Sequence, residues 1–477
     1  MDIGGIIISL ICIADLIFLL VLIFSEKDNP SKVVAWAVVF IVLPLVGFVV
    51  YLFIGQTYYS RHAFKIKGIQ DSQVEAIEMF DFKNATDESN PDYKNLICAM
   101  QKMGGFGYSD CNKVTLYTLG EDKFKQFYED MRNAKECIHV EYYIIRNDEL
   151  GNELMSILTQ KAKEGLDVKL LTDDVGWGSG PKKALKGFKE AGGQFALFNE
   201  VFLTALSPKK NNRNHRKIAV IDGKVAYCGG FNIGDEYLGK GPLGYWRDTA
   251  VRVTGPGVFP LHIRFQMDWE YASEKPMGDY ISQFYEKDKM DMSGDVRLLT
   301  ISGGPDVAYY NPIRMQYLEL INRSEKTLYM HTPYFIPHQT LKDALSLAAA
   351  RGVDVRIIIP DKPDHPFVFW NNISCAYDVM KNGVKVYMYT RGFVHSKTMV
   401  ADGEFCSVGS ANFDDRSLVL NFETNQLILS KDIGKQMDDA FLEDLKYCTE
   451  YTMADYENLG LGSRIRIAIS RLFSSLA

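Results

Sequence analysis

The sequence lacks an excess of positive charge, and it lacks the cysteine spacing of a metal site or a disulfide framework. Its 53 Lys and Arg are outnumbered by 60 Asp and Glu, which gives a formal net charge of -7. Nucleic-acid-binding proteins usually carry a basic excess, so this balance argues against DNA or RNA as a partner. The eight cysteines are scattered, with no C-x-x-C pair. This usage argues against a zinc site and fits a reducing compartment.

Long hydrophobic runs are concentrated near the N-terminus. Residues 3–25 and 33–54 are each long enough to cross a bilayer core of ~30 Å as a helix. The first run opens without the basic start of a signal peptide, and the second follows at once, so a transmembrane helical hairpin is predicted. Asp15 lies inside the first run. It is either a functional intramembrane carboxylate or a protonated group packed against the second helix.

Basic residues around these runs predict the orientation of the hairpin. The connecting turn contains Lys27 and Lys32, whereas Arg61, Lys65 and Lys67 follow the second run. Because flanks richer in Lys and Arg stay in the cytoplasm, the sequence predicts a multi-pass protein of the cell membrane. Its large C-terminal part is expected on the cytoplasmic side.

One short pattern, His-x-Lys-x4-Asp, occurs twice in the second part of the chain, and each copy continues with a Gly and an Asn at the same offsets. In order, the residues are His215, Lys217, Asp222, Gly229 and Asn232, and then His395, Lys397, Asp402, Gly409 and Asn412. A lone His-x-Lys is weak evidence, but two full copies in register indicate a duplicated catalytic set.

Each copy has the pattern of a β-hairpin. Short apolar runs flank an Asp-Gly pair, which favours a tight turn. The His and Lys of a copy are two residues apart, so their side chains project from the same face of a strand. Asp222 and Asp402 fall at the predicted turns. They either take part in the chemistry or shape the turn.

From about residue 112 the chain has two related α/β halves. The strand–helix–strand pattern of residues 137–174 recurs in residues 328–361, with Gly165 and Gly352 at the same place between helix and strand. Alternating strands and helices predict a mixed or parallel sheet flanked by helices. The predicted division is two transmembrane helices in 1–60, a linker in 61–111, α/β halves in 112–290 and 291–462, and an amphipathic helix in 463–477.

Paired histidines of this kind suit displacement at a phosphodiester. A neutral imidazole can attack phosphorus and form a phosphohistidine, while a second imidazole donates a proton to the departing oxygen. The two Lys and the two Asn would surround the non-bridging oxygens and stabilise the developing charge. The reaction requires no metal or other cofactor, and the sequence has no clustered carboxylates suited to hold a metal.

A catalytic imidazole also needs its second nitrogen held, generally by a carboxylate. Asp248 and Glu423 are the candidates, because each is followed by Thr at a matching place, 33 and 28 residues after the histidines of the two copies. Each is otherwise an ordinary surface carboxylate. The first copy has Gly230 where the second has Ser410, whose hydroxyl is a candidate for phosphate binding.

With these motifs the chain resembles the phospholipase D superfamily, and more narrowly the bacterial cardiolipin synthases. The likeness spans nearly the whole chain and includes the N-terminal segment NPSKVVAWAVVFIVLPLVGFVVYLFIG, the segments HVEYYI and TPYFIP, and the C-terminal RLFSSLA. The resemblance implies two tandem phospholipase D-like α/β/α sandwich domains that form a pseudo-twofold pair. It also implies that two phosphatidylglycerol molecules become cardiolipin and glycerol. By analogy with the superfamily, His215 would be the nucleophile and His395 the acid and base.

Two further segments have patterns suited to membrane lipids. Residues 463–477 form an amphipathic helix with Ile465, Ile469, Leu472 and Leu476 on one face. This helix either lies at the membrane interface or packs on the protein core. The cations Lys209, Lys210, Arg213 and Arg216 beside the first motif either attract anionic headgroups or form a solvated loop.

Three other functions use the same features. Water as the second acceptor would make the protein a membrane-bound phospholipase D that releases phosphatidic acid. The shared motif also occurs in nucleases, but the apolar runs and the acidic balance count against that function. A catalytically silent membrane scaffold would have no reason to keep both motifs intact. The oligomeric state has no signature in the sequence.

Overall fold

The structure is a computed structural model. In the N-terminal region it describes residues 13–14, 16–20, 22–23, 30–43, 47, 51 and 67, and beyond it residues 90–104, 107–200, 211–277, 285, 290–306 and 311–476. Asp15, Lys209 and Lys210 lie outside the described residues.

The strands fall into two groups along the chain. The first half contains β1 (Tyr108–Tyr117), β2 (Cys137–Tyr142), β3 (Asp167–Asp173), β4 (Gln194–Phe198), β5 (Lys217–Ile221), β6 (Val225–Gly229), β7 (Tyr245–Arg247) and β8 (Ala250–Thr254). The second half contains β9 (Val296–Gly303), β10 (Thr327–His331), β11 (Phe335–Ile336), β12 (Asp354–Pro360), β13 (Lys385–Tyr389), β14 (Gly392–Val394), β15 (Thr398–Ala401), β16 (Phe405–Gly409), β17 (Phe413–Asp414), β18 (Glu423–Leu429) and β19 (Cys448–Tyr451).

The described helices connect and cover these strands. They are α1 (Pro30–Val42), α2 (Pro91–Lys102), α3 (Gly120–Asn133), α4 (Glu149–Lys163), α5 (Asp174–Trp177), α6 (Lys182–Glu190), α7 (Val258–Ser273), α8 (Pro312–Arg323), α9 (Gln339–Ala350), α10 (Pro366–Met380), α11 (Asp415–Val419), α12 (Lys431–Leu445), α13 (Met453–Glu457) and α14 (Leu461–Leu476), with a 3₁₀ turn at Asp235–Leu238. None of the helices within the described ranges combines the length and the apolar character needed to cross a membrane.

The two halves share one sheet of 15 strands. Its order is β19-β13-β12-β10-β15-β16-β18-β9-β1-β8-β6-β5-β2-β3-β4, so the halves meet where β9 and β1 pair antiparallel. In each half three strands are parallel, β2-β3-β4 and β10-β12-β13, while the strands nearer the centre are antiparallel. The expected mixed sheet with a repeated order is therefore present, and the repeat places the two motif hairpins at corresponding positions.

Helices cover both faces of this sheet. On one face α7 and α12 pack over strands of both halves in one continuous apolar cluster. On the other face the halves have separate clusters, one beneath α3 and α4 and one beneath α8, α9 and α10. The molecule is therefore a mixed α/β sandwich in which one helical layer is shared. Helix α2, within the segment predicted as a linker, packs with the second half through Leu96 and Ile97.

Both predicted Asp-Gly hairpins are confirmed. Strands β5 and β6 pair antiparallel, as do β15 and β16. At the turns the φ angles are 52° and 60° for Asp222 and Gly223, and 53° and 62° for Asp402 and Gly403. Two successive positive φ angles characterise the tight hairpin turn that Asp-Gly favours.

Candidate active site

The two motif histidines each contact a carboxylate from the opposite half. The Nδ1 atom of His215 lies 3.0 Å from both carboxylate oxygens of Glu423. The Nδ1 atom of His395 lies 2.6 Å from Oδ2 of Asp248. The sequence identified both acids, but it gave no sign that the pairs are formed crosswise. Because Nδ1 is engaged in both rings, Nε2 is the nitrogen left for a substrate.

Backbone bonds between the halves fix the place of each pair. The amide of His215 donates to the carbonyl of Phe422, the residue before Glu423, at 2.9 Å. The amide of His395 donates to the carbonyl of Arg247, the residue before Asp248, at 2.7 Å. The short strands β7 and β14 add a parallel pairing between the halves beside His395. The site therefore depends on the contact between the halves.

Burial favours the neutral form of both imidazoles. It lowers the pKa of His215, and Glu423 opposes that shift only in part. The pKa of His395 falls well below its usual value because of burial and the positive charges of Lys397 and Lys217. His215 also contributes to this shift, so the two rings act on each other electrostatically.

The two carboxylates differ in how readily they take up a proton. Burial raises the pKa of Asp248 to about 6, although Lys397 opposes the shift. Burial also tends to raise the pKa of Glu423, but His215, Lys217 and a hydrogen bond from Ser410 together bring it below its usual value. Glu423 is therefore the more firmly ionised acid, and the two half-sites are electrostatically unequal.

Two buried lysines lie beside the histidines. Lys217 Nζ donates to the carbonyl of His215 at 2.6 Å, and Lys397 Nζ donates to the carbonyl of His395. Burial lowers the pKa of Lys217 to about 7 and that of Lys397 to about 8. Bringing an anionic phosphate between these ammonium groups would favour their charged form.

The two asparagines of the motif are also buried near the site. Asn232 Oδ1 accepts from the amide of Ile144 at 3.3 Å, and its Nδ2 donates to Tyr237, whose hydroxyl lies 3.2 Å from His395 Nδ1. In the described part of the chain, Asn412 Oδ1 is buried without a hydrogen-bond partner. That carbonyl oxygen can therefore accept a further hydrogen bond.

Ser410 and Gly230 occupy matching positions but serve different contacts. The hydroxyl of Ser410 donates to Glu423 and accepts from the amide of Thr424 at 3.0 Å. The hydrogen of this hydroxyl is directed to the carboxylate, so Ser410 supports Glu423 here, and phosphate binding by the hydroxyl stays a prediction. A Cβ at Gly230 would lie only 2.1 Å from Asp248 Oδ1, so glycine makes room for that acid.

The motif aspartates lie away from the histidines, so their proposed part in the chemistry needs correction. Asp222 accepts from the amides of Lys135, Glu136 and Cys137 at 2.7–3.0 Å. Asp402 accepts in the same way from residues 325–327 at 2.7–2.9 Å. Both sit at the turn, at the far end of the strand from the motif lysine. They hold the hairpin to the neighbouring strand, which is the alternative given above.

Three buried arginines lie beside the site, and their contacts had no clear signal in the sequence. Arg213 and Arg216 were grouped with loop cations that either attract lipid headgroups or face solvent, yet both are buried. Arg213 pairs with Asp173 at 3.2 Å. Arg216 and Arg247 each bond to the peptide backbone of one of the two acids. Matching the two copies position by position does not reveal Arg216 and Arg247, because these two arginines occupy non-equivalent positions of the repeat.

Aromatic rings complete the surroundings of the histidines. Tyr143 packs edge-on to His215 with ring centroids 5.0 Å apart, and Trp246 lies 5.3 Å from His395. Within the described residues, no group of three or more His, Cys, Asp or Glu side chains is arranged to hold a metal ion. The arrangement provides two oriented imidazoles that act on each other electrostatically, with two buried lysines and the motif asparagines close to them.

Comparisons with known proteins identify the relatives of this chain. The family described as "Cardiolipin synthase, PLD-like domain" matches residues 127–252 and 317–445, and the "Phospholipase_D-nuclease N-terminal" family matches residues 7–56. A cardiolipin synthase of Staphylococcus aureus (strain Mu50) is 40% identical over 473 residues, which cover 97% of this chain and 95% of that protein. One from Listeria monocytogenes serotype 4a (strain HCC23) is 39% identical over 475 residues, 98% of each chain.

A solved structure supports the fold. The phosphatidylserine synthase of Haemophilus influenzae Rd KW20 superposes with a TM-score of 0.61 at 16% identity. The match covers 86% of this chain and 100% of that one. At this identity the likeness concerns the fold alone, and it extends through both α/β halves.

Proposed function

The chain belongs to the family of cardiolipin synthases with phospholipase D-like domains, and from this membership we propose that it transfers a phosphatidyl group from one phosphatidylglycerol to another. The products are cardiolipin and glycerol. The observation that carries the proposal is the crosswise pair of buried imidazoles, each with Nδ1 on a carboxylate. Such a pair supplies a nucleophile that attacks the phosphorus and a proton donor for the oxygen that leaves it.

In the first step Nε2 of His215 attacks the phosphorus of phosphatidylglycerol. The bond from phosphorus to the glycerol oxygen breaks, and His395 gives its Nε2 proton to that oxygen. The pKa of His395 is held down by burial and by both lysines. A bound phosphate anion offsets the charge of those lysines, so His395 can carry a proton when substrate is present. Glycerol leaves, and the phosphatidyl group remains on His215.

In the second step a hydroxyl of another phosphatidylglycerol gives its proton to His395 and attacks the phosphorus. The bond from phosphorus to His215 breaks, and cardiolipin is released. The unequal acids support this division of roles. Glu423, which is held ionised, stabilises the positive charge that His215 gains as nucleophile. Lys217, Lys397 and the motif asparagines would hold the non-bridging oxygens.

The lipid substrate places the enzyme at a membrane. Residues 3–25 and 33–54 would form the transmembrane hairpin, with the catalytic halves in the cytoplasm. The C-terminal helix α14 supplies a second contact. Leu461, Ile465 and Ile469, four residues apart, are 75%, 50% and 41% exposed, whereas Ile467 and Ser470 on the other side are buried.

The surroundings of α14 support a bilayer as the partner of its exposed face. The helix packs against α10, where Asn371 Nδ2 donates to the carbonyl of Ser470 at 3.1 Å. It also contacts α1, which exposes Val34, Val38 and Ile41. Residues 461–476 contain three arginines and no acid, in a chain with a net charge of -7. An apolar row with flanking arginines suits an anionic lipid surface. The side chains of Leu472 and Leu476 lie outside the described residues.

A product assay tests the proposed reaction. The full chain in detergent is incubated with phosphatidylglycerol labelled in its phosphate. We expect labelled cardiolipin from the wild-type protein and none from His215→Ala or His395→Ala, with circular dichroism spectra unchanged. Phosphatidic acid as the main product would instead identify a hydrolase. Wild-type rates in either variant would overturn the assigned roles.

Photo-crosslinking tests the position of α14. A benzoylphenylalanine at Ile469 is compared with one at Leu442 in α12, on the opposite face of the sheet. The two side chains are 41% and 43% exposed, so the positions are matched. In vesicles of phosphatidylglycerol we expect lipid crosslinks at position 469 and few at position 442. Equal labelling at both positions would refute the proposal that α14 lies on the membrane surface.

A further inference from the structure

Two buried guanidinium groups hold the acids that orient the catalytic histidines. Arg216 Nε donates to the carbonyl of Glu423 at 3.3 Å and to the hydroxyl of Thr424 at 3.1 Å. Arg247 Nη1 donates to the carbonyl of Asp248 at 2.7 Å and to the hydroxyl of Thr249 at 2.6 Å. Each guanidinium thus binds the same two groups, the carbonyl of the acid and the hydroxyl of the following threonine.

A buried aspartate forms an ion pair with each guanidinium. Arg216 pairs with Asp268 on α7, and Arg247 pairs with Asp444 on α12 at 2.8 Å. The helices α7 and α12 follow β8 and β18, the strands next to or containing the two acids, so the carboxylates come from corresponding elements. Both arginines are less than 5% exposed. A buried charge is tolerated only with such pairing and full hydrogen bonding, which makes each arrangement specific in geometry.

The two arginines come from different positions of the repeat. Arg216 is the residue between His215 and Lys217, and the equivalent place in the second copy is Ser396. Arg247 precedes Asp248, and the equivalent place is Phe422. The first half-site thus has Arg216 over the ring of Phe422, at 5.3 Å, while the second has Arg247 beside Ser396. Arginines at two non-equivalent positions thus make the same contact, which indicates that the contact itself is required.

Each guanidinium also joins the two halves. Arg216, in the first half, bonds to Glu423 and to the carbonyl of Gly303 at 3.1 Å in the second. Arg247 connects Asp248 to Asp444 of the second half. Since each histidine takes its carboxylate from the opposite half, a small shift between the halves would separate Nδ1 from its partner. The planar guanidinium of an arginine holds several hydrogen-bond donors in a fixed geometry, so it resists that shift better than the flexible ammonium of a lysine.

We propose that Arg216 and Arg247 are positioning residues for the phosphatidyl transfer, each fixing the backbone of one acid so that its carboxylate holds Nδ1 of a catalytic histidine. This inference rests on the proposed function. The arginines do not contact the phosphate. They act through Glu423 and Asp248.

The test compares Arg216→Lys and Arg247→Lys with Arg264→Lys in the full chain. Arg264 is a matched control, because it is equally buried and donates to the same Asp268 at 2.8 Å. In the two positioning variants we expect kcat to fall about 10- to 100-fold, as is usual when a group behind a catalytic ligand is altered. KM for phosphatidylglycerol should change little, because the lysines that face the phosphate are untouched.

The pH profile separates positioning from general stability. His215 faces Glu423, which raises its pKa, and Lys217 and Lys397, which lower it. If Glu423 is displaced in Arg216→Lys, the pKa of His215 falls, and the acidic limb of kcat/KM moves to lower pH. A variant that only unfolds more easily would lose active protein and keep the wild-type profile. The smaller change Thr424→Val should also move the acidic limb of kcat/KM to lower pH. This variant replaces Arg216→Lys in the test if Arg216→Lys does not fold.

An exchange variant provides the rescue. Arg216→Ser combined with Phe422→Arg builds the second arrangement at the first half-site. We expect it to regain at least part of the kcat that Arg216→Ser alone loses. An inactive wild-type protein would refute the proposed function. If the wild type is active, two results would refute this inference alone. The Lys variants could keep the wild-type kcat, or they could lose activity only in proportion to the loss of folded protein, with an unchanged pH profile.

Discussion

The two buried lysines give the site a predictable response to alkaline pH. Burial lowers the pKa of Lys217 to about 7 and that of Lys397 to about 8. As pH rises through these values the ammonium groups of the free enzyme lose their protons, and the attraction for the phosphodiester is lost. Because kcat/KM reports the free enzyme, we expect it to fall from near pH 7 upward. A pH series of initial rates at low phosphatidylglycerol measures this limb.

The variant Lys217→Arg serves as the control for this assignment. A guanidinium stays protonated throughout the range, since its pKa lies above about 12. If the variant keeps measurable transfer, its alkaline limb should begin at higher pH than that of the wild type. A limb at the same pH in both proteins would mean that another group titrates.

At the scale of single residues, the sequence contained most of the site but not its pairing. The motif histidines and lysines, with Asp248 and Glu423, were identifiable because they recur in both copies. Their spacings of 33 and 28 residues, however, do not encode which histidine an acid reaches. That choice depends on the contact between the halves. The contacts of Arg216 and Arg247 with the two acids were not predicted, because a recurrence search finds only equivalent positions.

At the scale of secondary structure, the motif hairpins depend on their turn aspartates. Asp222 accepts from three backbone amides and has a φ of 52°. Asp222→Ala removes the acceptor and puts a poorly suited residue at positive φ. We expect the free energy of unfolding to fall by about 2 kcal/mol. The loss is no larger because some of the three freed backbone amides can bind water instead. Because both halves share one sheet and unfold as a large unit, this loss corresponds to a fall in Tm of roughly 2–3 °C.

The chemistry should survive the same substitution. Asp222 lies beyond β5, about 16 Å from Lys217 at ~3.3 Å per residue. We therefore expect kcat per folded molecule to stay within about twofold of wild type at low temperature. Lys224→Ala in the same turn is the control, because this side chain is 64% exposed and its ion pair with Glu136 contributes little. A large loss of kcat in folded Asp222→Ala would restore that residue to the catalytic set.

Local sequence pattern predicted the secondary structure elements well where one element decides its own conformation. The Asp-Gly hairpins, the strand–helix–strand units and the glycines between helix and strand at positions 165 and 352 were expected from short segments. Both glycines have a positive φ. Helix α2 was expected only as part of a linker, and its packing with the second half was not foreseen. Packing partners far apart in the chain leave no periodic signal in a single segment.

At the scale of the whole molecule, the two halves form one sheet rather than two sandwiches that merely touch. Strand β1 pairs with β9 at the centre, with Tyr108 opposite Leu299. Cluster residues of both halves lie together under α7 and α12. The repeat predicted two related halves, but not the edge at which they join. That edge determines the crosswise site.

Because the halves join within one chain, the site needs both histidines in the same polypeptide. The structure brings His215 to Glu423 and His395 to Asp248 without a second copy. We therefore expect that His215→Ala and His395→Ala proteins, mixed or co-expressed, make no more cardiolipin than the two do separately. A mixture of wild type with His215→Ala should give activity in proportion to the wild-type fraction. If instead the two inactive variants restored transfer together, the halves would be exchanged between chains. The same arrangement of acids and imidazoles would then have to form across a dimer.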